Sequence, residues 1–275
     1  MKVEDCIVAV ERRSLGGCMD LAFVFARRFA WPVTSLTLCF AIPSLILTWL
    51  VTDAMRHDVL VPGLLIYAVF NMLFSGALVS AVGPQVFGVP ITTGRALRGL
   101  LSRCISYSFL GLLTRATCLC FFAPFAVVWP YAGHLPEVMF LEKTPLNLVT
   151  ERCSWLSKGG GYARNFSRMI SLIFFGTIFC VGLFLAADVF VSYAFHVRIF
   201  AGSIAAGPDQ LEALTSKVID DPKVLVTMQA CVWVVAPIIR LTWFFCYLDQ
   251  RIRNECWDLE LQNRVEAGRL EEQMA

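Results

Sequence analysis

Long apolar runs broken by short polar stretches set the pattern of this chain. The runs at about 32–52, 60–82, 169–195 and 224–248 carry almost no charge. Each is at or beyond the ~20 residues that an α-helix needs to cross the hydrocarbon layer, so each predicts a membrane span. A fifth apolar stretch, 104–143, is interrupted by Pro124, Pro130 and Pro136, each of which removes a helical hydrogen bond or bends the path. Its length admits one span plus an interfacial piece, or two short spans at 104–122 and 125–142. Ahead of the first run, residues 14–30 set Leu21, Val24, Phe25 and Phe29 opposite Asp20, Arg27 and Arg28, a pattern that suits a helix lying in the membrane interface; the alternative is a helix packed into a bundle. Residues 92–103 carry Arg95, Arg98 and Arg103 on a second amphipathic stretch suited to lipid headgroups.

Composition turns these runs into a class. Of 275 residues 57% are apolar and 16% charged, against about 25% charged in soluble domains, and the mean hydropathy is +0.67. Spans and short loops use up the length, leaving no room for a separate catalytic domain. The net charge of +2 gives no sign of a nucleic-acid surface.

The placement of charge says more than its total. Segments 1–30, 83–103, 143–169 and 249–275 hold 17 of the 23 Lys and Arg residues. Cytoplasmic loops carry the excess of basic residues, and only an even number of crossings puts all four segments on that side. Residues 104–143 must then cross and return. The reading is an all-α integral membrane bundle of six transmembrane helices with interfacial amphipathic helices, one membrane domain over 1–275, both termini cytoplasmic. Glu4 and Asp5 stand where a signal peptide would be basic, so the first span is read as retained.

Candidate chemistry is sparse. Most of the eleven cysteines lie inside apolar runs and none forms a C-x-x-C pair, so they read as reduced, small hydrophobic side chains. His57, His134 and His196 fall at or beyond the predicted span ends without metal-ligand spacing. Lys158-Gly159-Gly160-Gly161 is a flexible turn, since a phosphate-cradling loop needs its glycines before the lysine. No G-x-S-x-G elbow occurs, and no carboxylate pair was identified in a run that could be buried. No metal and no cofactor is implied.

Three ionisable residues were singled out within spans: Arg115, Asp188 and Arg240. Charges at membrane depth are costly and face the bundle interior or a partner. With a rise of about 1.5 Å per residue, Arg115 lies roughly 16 Å and Arg240 roughly 12 Å from the cytoplasmic ends of their spans, and Asp188 roughly 28 Å. The two arginines could share a layer and form a polar site for an anionic headgroup or solute; alternatively each meets backbone carbonyls or reaches the interface. Gly76 with Ser80 and Ala77 with Ala81 give the second span a small-residue face for close helix approach within the chain.

The tail, 249–275, is charged and helix-favouring. Asp249 with Arg253, Arg251 with Glu255 and Glu260 with Arg264 are spaced to pair at i,i+4 and to carry the last helix unbroken out of the membrane, with Trp257, Leu261 and Val265 as an apolar stripe. Its opening, Tyr247-Leu248-Asp249-Gln250-Arg251-Ile252-Arg253-Asn254-Glu255-Cys256-Trp257-Asp258-Leu259, resembles the ending of a group of bacterial six-helix membrane proteins that includes the membrane domain of some glycerophosphodiester phosphodiesterases. Pro43 in the first span, Phe140-Leu141-Glu142-Lys143 and Arg152-Cys153-Ser154-Trp155-Leu156 agree with it, although Cys153 separates an Arg and a Ser that are adjacent in that group. The resemblance implies a bacterial inner-membrane location and a juxtamembrane motif of Tyr247, Asp249, Arg251, Arg253, Glu255 and Asp258. The catalytic domain of those phosphodiesterases is absent from this chain, so no catalytic residue carries over.

These features lead to the expectation of a non-enzymatic scaffold, assembly subunit or lipid-headgroup-binding protein, with membrane lipids, anionic headgroups among them, or a membrane protein as partner. The alternative is a small transporter or channel for an anionic solute that uses Arg115 and Arg240.

Overall fold

A computed structural model describes residues 11–55, 58–86, 90, 92–120, 122–196 and 219–255. The described residues are mostly helical, without a strand: α1 (Leu15–Arg28), α2 (Ala30–Met55), α3 (Leu60–Val86), α4 (Thr93–Leu101), α5 (Cys104–Cys120), α6 (Phe122–Ala132), α7 (Leu135–Phe140), α8 (Leu146–Leu156), α9 (Gly161–Phe195) and α10 (Pro222–Glu255). Four of these, α2, α3, α9 and α10, are long and apolar enough to cross a membrane, which makes the chain a multi-pass membrane protein. The tail beyond Glu255, with Trp257, Asp258 and the Glu260/Arg264 pair, lies outside the described residues, as do His57 and the loop at 197–218.

The stretch 104–143 forms three pieces instead of two simple spans. α5 is a 17-residue helix, and α6 stops after 11 residues at Ala132. Gly133 and His134 make a turn, and α7 restarts with Pro136 in its first turn, where a missing N–H costs nothing. Long-range and local breaks thus coincide with the prolines.

Two compact units share the long helices. One comprises the chain up to Leu36, Met72–Ile170 and the chain from Ile238; the other comprises Thr37–Asn71 and Ser171–Pro237.

In the first unit, α1 begins at Ser14, whose side chain accepts the Gly17 N–H at 3.2 Å, and ends with Arg27 and Arg28 against the negative end of the helix dipole. The buried face of α1 is Cys18, Ala22 and Phe25, and Phe25 packs edge-on against Phe245 of α10 at 5.8 Å between ring centroids. Of the apolar face Leu21, Val24, Phe25 and Phe29, Phe25 is buried and Val24 is exposed. The small residues Cys18 and Ala22 let the helix approach its neighbour, a signal that apolar periodicity alone does not weight.

The small face of α3 packs within the chain. A Cβ added at Gly76 would sit 2.8 to 3.0 Å from Phe140, Tyr107 and Leu100, and Gly99 of α4 leaves room for Ser80. Tyr107 closes the contact by donating to the Met72 carbonyl at 2.9 Å. Arg103, expected at the headgroups, donates to the carbonyls of Lys143 and Thr144 at 2.9 and 2.7 Å and so fastens the turn after α7.

In the second unit, Ser44, Thr48 and Thr52 recur every four residues on α2 and are buried, forming one polar stripe. Gln229 of α10 donates to Ser44 at 2.8 Å, and Thr52 returns its hydroxyl to the Thr48 carbonyl at 2.7 Å. Tyr67 and Trp233 meet edge-to-face at 5.5 Å. The hairpin turn is held by the Asp58 N–H donating to Asp220 at 3.1 Å.

Candidate functional site

The last turns of α10 organise the polar interior of the first unit. At 3.6 residues per turn, Arg240, Trp243, Tyr247, Gln250, Arg251 and Asn254 fall along one side of the helix, whereas Asp249 and Arg253 fall on the other. Each side meets a different set of partners.

On the first side, Arg240 forms a buried ion pair with Glu137 of α7 at 2.6 Å. The Trp243 indole donates to the Gly133 carbonyl at 2.9 Å, and its ring stacks on His134 at 4.7 Å. These contacts serve the end of α6, whose final carbonyls lack helical donors. Pro130's carbonyl is met by Asn165 of α9 at 3.1 Å and by Ser157. The end of α8 is treated alike: the Leu156 carbonyl accepts from Gln250 and from Asn254 at 3.1 Å.

Further along, Glu142 is the centre of a charge cluster. Arg152 of α8 grips it with two nitrogens at 2.6 and 2.9 Å, Tyr247 donates its hydroxyl to it, and Arg251 stands 3.8 Å away. Glu255 joins Arg152 and Arg251, the latter at 2.7 Å. The hydrogen bond that Arg152 donates to Glu142 holds its guanidinium charged well above its usual range, against the opposing effect of burial. Two-pronged arginine–carboxylate pairs of this kind are the strong, geometrically selective ones. Cys153, next along α8, is buried and has its thiol pushed up to about 12 by burial, with Glu137 and Glu142 adding to the effect.

On the opposite side of α10, Asp249 is nearly inaccessible and receives Arg168 of α9, Arg253 at 2.9 Å and the backbone N–H of Arg13 at 2.7 Å. Arg253 also donates to the Arg13 carbonyl at 3.2 Å, so the chain entering α1 is tied to the chain leaving α10.

The residues marked in the spans do not converge on one site. Arg240 has its carboxylate partner. Arg115 lies half-buried on α5, donates to the Gly111 carbonyl at 3.2 Å and stands 5.9 Å over the Trp129 ring. Both arginines lie within electrostatic reach of the buried Tyr107 hydroxyl. Asp188 is buried on the part of α9 that belongs to the second unit. In the juxtamembrane motif, Tyr247, Asp249, Arg251, Arg253 and Glu255 all take part in the clusters, and the two i,i+4 pairs form as spaced.

Two residues correct the reading from sequence. Glu137 is a carboxylate inside an apolar run and is fully buried, and His134, placed at a span end, is buried too. The rule that flagged Arg115, an ionisable group among apolar neighbours, applies equally to Leu135-Pro136-Glu137-Val138-Met139-Phe140. Around them several buried atoms have no hydrogen-bond partner among the described residues: both His134 ring nitrogens, Glu137 Oε2, Arg240 Nε, Asn165 Oδ1 and Gln250 Oε1. Among the described residues no group of three His, Cys, Asp or Glu side chains is arranged to hold a metal.

Comparison with family models, curated proteins and solved structures returns no match. The chemistry therefore rests on the clusters themselves. In them carboxylates and guanidiniums pair across helices, while side-chain amides and an indole donate to the carbonyls at helix ends.

Proposed function

We propose that the chain is a non-catalytic scaffold or assembly subunit of a bacterial inner membrane, with six crossings and both termini in the cytoplasm. In this reading α5 makes the third crossing and α6 with α7 the fourth, over 104–122 and 125–142. The proposal includes kinship with the six-helix group, whose most specific segment, Tyr247 to Glu255, coincides with the clusters.

One observation carries the proposal: the charged end of α10 is spent on α1, α7, α8 and α9 and on the turns between them. Nine side chains of α10, between Arg240 and Glu255, hold the polar segments expected in the cytoplasm together as one platform. A scaffold needs such a fixed surface, whereas a transport cycle needs polar groups free to exchange partners. An anion route through Arg115 and Arg240 is the weaker reading, because Glu137 already neutralises Arg240.

Purification of the full chain from its own membrane in mild detergent, with cross-linking before extraction, tests the proposal. A stoichiometric membrane-protein partner supports it. A partner-free monomer that gives saturable anion flux in liposomes, lost in Arg115→Ala, overturns it.

A further inference from the structure

The cluster at Asp249 is not electrically closed. Arg164 and Arg168 are one turn apart on α9, where like charges repel, and Arg253 approaches from α10. Asp249 is the one acidic group among the charges acting on Arg164, the others being Arg253 and Arg168. Asp249 is engaged by Arg168 and Arg253, and Arg13 has its own carboxylate, Glu11, at 2.6 Å. Arg164 is half-buried, forms no ion pair with a described residue, and its Nη1 is buried without a hydrogen-bond partner among the described residues. Among those residues three guanidiniums thus share one carboxylate, and one guanidinium nitrogen has no acceptor. A buried donor of that kind calls for an acceptor.

The surroundings indicate which acceptor. Arg164 and Arg168 lie in the opening turns of one membrane-length helix and Arg253 in the closing turn of another. Basic residues at the end of a membrane-spanning helix meet anionic lipid headgroups there.

We propose that Arg164, Arg168 and Arg253 bind a phosphate-bearing anion, with Arg164 supplying the open donor. This rests on the proposed membrane insertion and gives a location to the headgroup binding expected from the sequence. The shared chemistry is a phosphate oxygen accepting from guanidinium N–H groups, and either a lipid headgroup or a soluble phosphate can supply it.

Native mass spectrometry on the full chain, in micelles containing equal amounts of phosphatidylglycerol and phosphatidylcholine, tests the lipid source. Thermal unfolding in inorganic phosphate against chloride at equal ionic strength tests the soluble one. The expected result is retention of phosphatidylglycerol over phosphatidylcholine, reduced about fivefold by Arg164→Gln, as for loss of one basic residue at a membrane surface, and kept by Arg164→Lys. A phosphate-specific rise in Tm lost in Arg164→Gln, without lipid preference, assigns the site to a soluble anion. Equal retention of both lipids with no phosphate effect overturns the proposal, as does a preference unchanged in Arg164→Gln. If that variant does not fold, the wild-type lipid ratio and its salt dependence decide. Retention of phosphatidylglycerol by a partner-free monomer would retire the scaffold and keep this site; a partnered protein indifferent to both anions would do the reverse.

Discussion

Nη2 of Arg240 lies 2.6 Å from Oε1 of Glu137, and neither group is open to solvent. The pair joins α10 to α7, a six-residue helix whose Leu135, Val138 and Met139 are buried as well. Burying both charges is expensive and their attraction returns much of the cost, so the net contribution of the intact pair is small. Removing one partner is different, because the other charge stays behind.

Glu137→Gln or Arg240→Met is therefore expected to destabilise the protein by about 3–5 kcal/mol. Glu137→Gln combined with Arg240→Met should cost less than either single change, since no unpaired charge remains. Denaturant unfolding of the four proteins in one detergent reads the cycle. Additive losses would show that the two residues act independently.

Cys153 offers a check on the packing of α8. Its thiol is buried and pushed up to about 12 by that burial, and the thiolate is the species that reacts with alkylating agents. A raised thiol stays protonated at all pH values below its pKa, so native protein at pH 8 should leave Cys153 unmodified by N-ethylmaleimide, whereas denatured protein should be modified. Rapid modification of Cys153 in folded protein would mean that α8 does not cover it.

Gly76 tests the close approach of α3. A methyl group there would meet two aromatic rings and Leu100 at or inside 3.0 Å, and crowding of this kind costs about 1–3 kcal/mol. Gly76→Ala should lower stability in that range, and Gly76→Leu should lower it further. A neutral Gly76→Leu would place the α3 face against lipid.

The four long helices were legible because length and apolarity alone identify them. The i,i+4 pairs at Asp249/Arg253 and Arg251/Glu255 were legible because they depend on spacing within one helix. What spacing along one helix cannot give is the partner across the fold: Glu142 with Arg152 and Tyr247, or Asp249 with Arg168 and Arg13, separated by up to 236 residues of sequence. The break at Gly133-His134 was marked by its flanking prolines. Glu137 is not legible in this way, because its partner is an arginine on another helix and not a second carboxylate nearby in sequence.

The number of crossings yields the last prediction. Gly159 and Gly160 are exposed with φ of 60° and 80°, a left-handed turn that glycine adopts without strain. An epitope between them should not disturb α8 or α9. With six crossings, that epitope and one at the N-terminus face the cytoplasm, and one placed beside Asp58 faces outward. If α5, α6 and α7 instead cross only once in total, the Gly159 epitope moves to the outer side while the other two stay. Protease protection in right-side-out and inverted vesicles reads all three sites. An outward Gly159 epitope would overturn the six crossings, and with them the platform, since Arg13 at the N-terminal side is bonded to Asp249 at the end of α10.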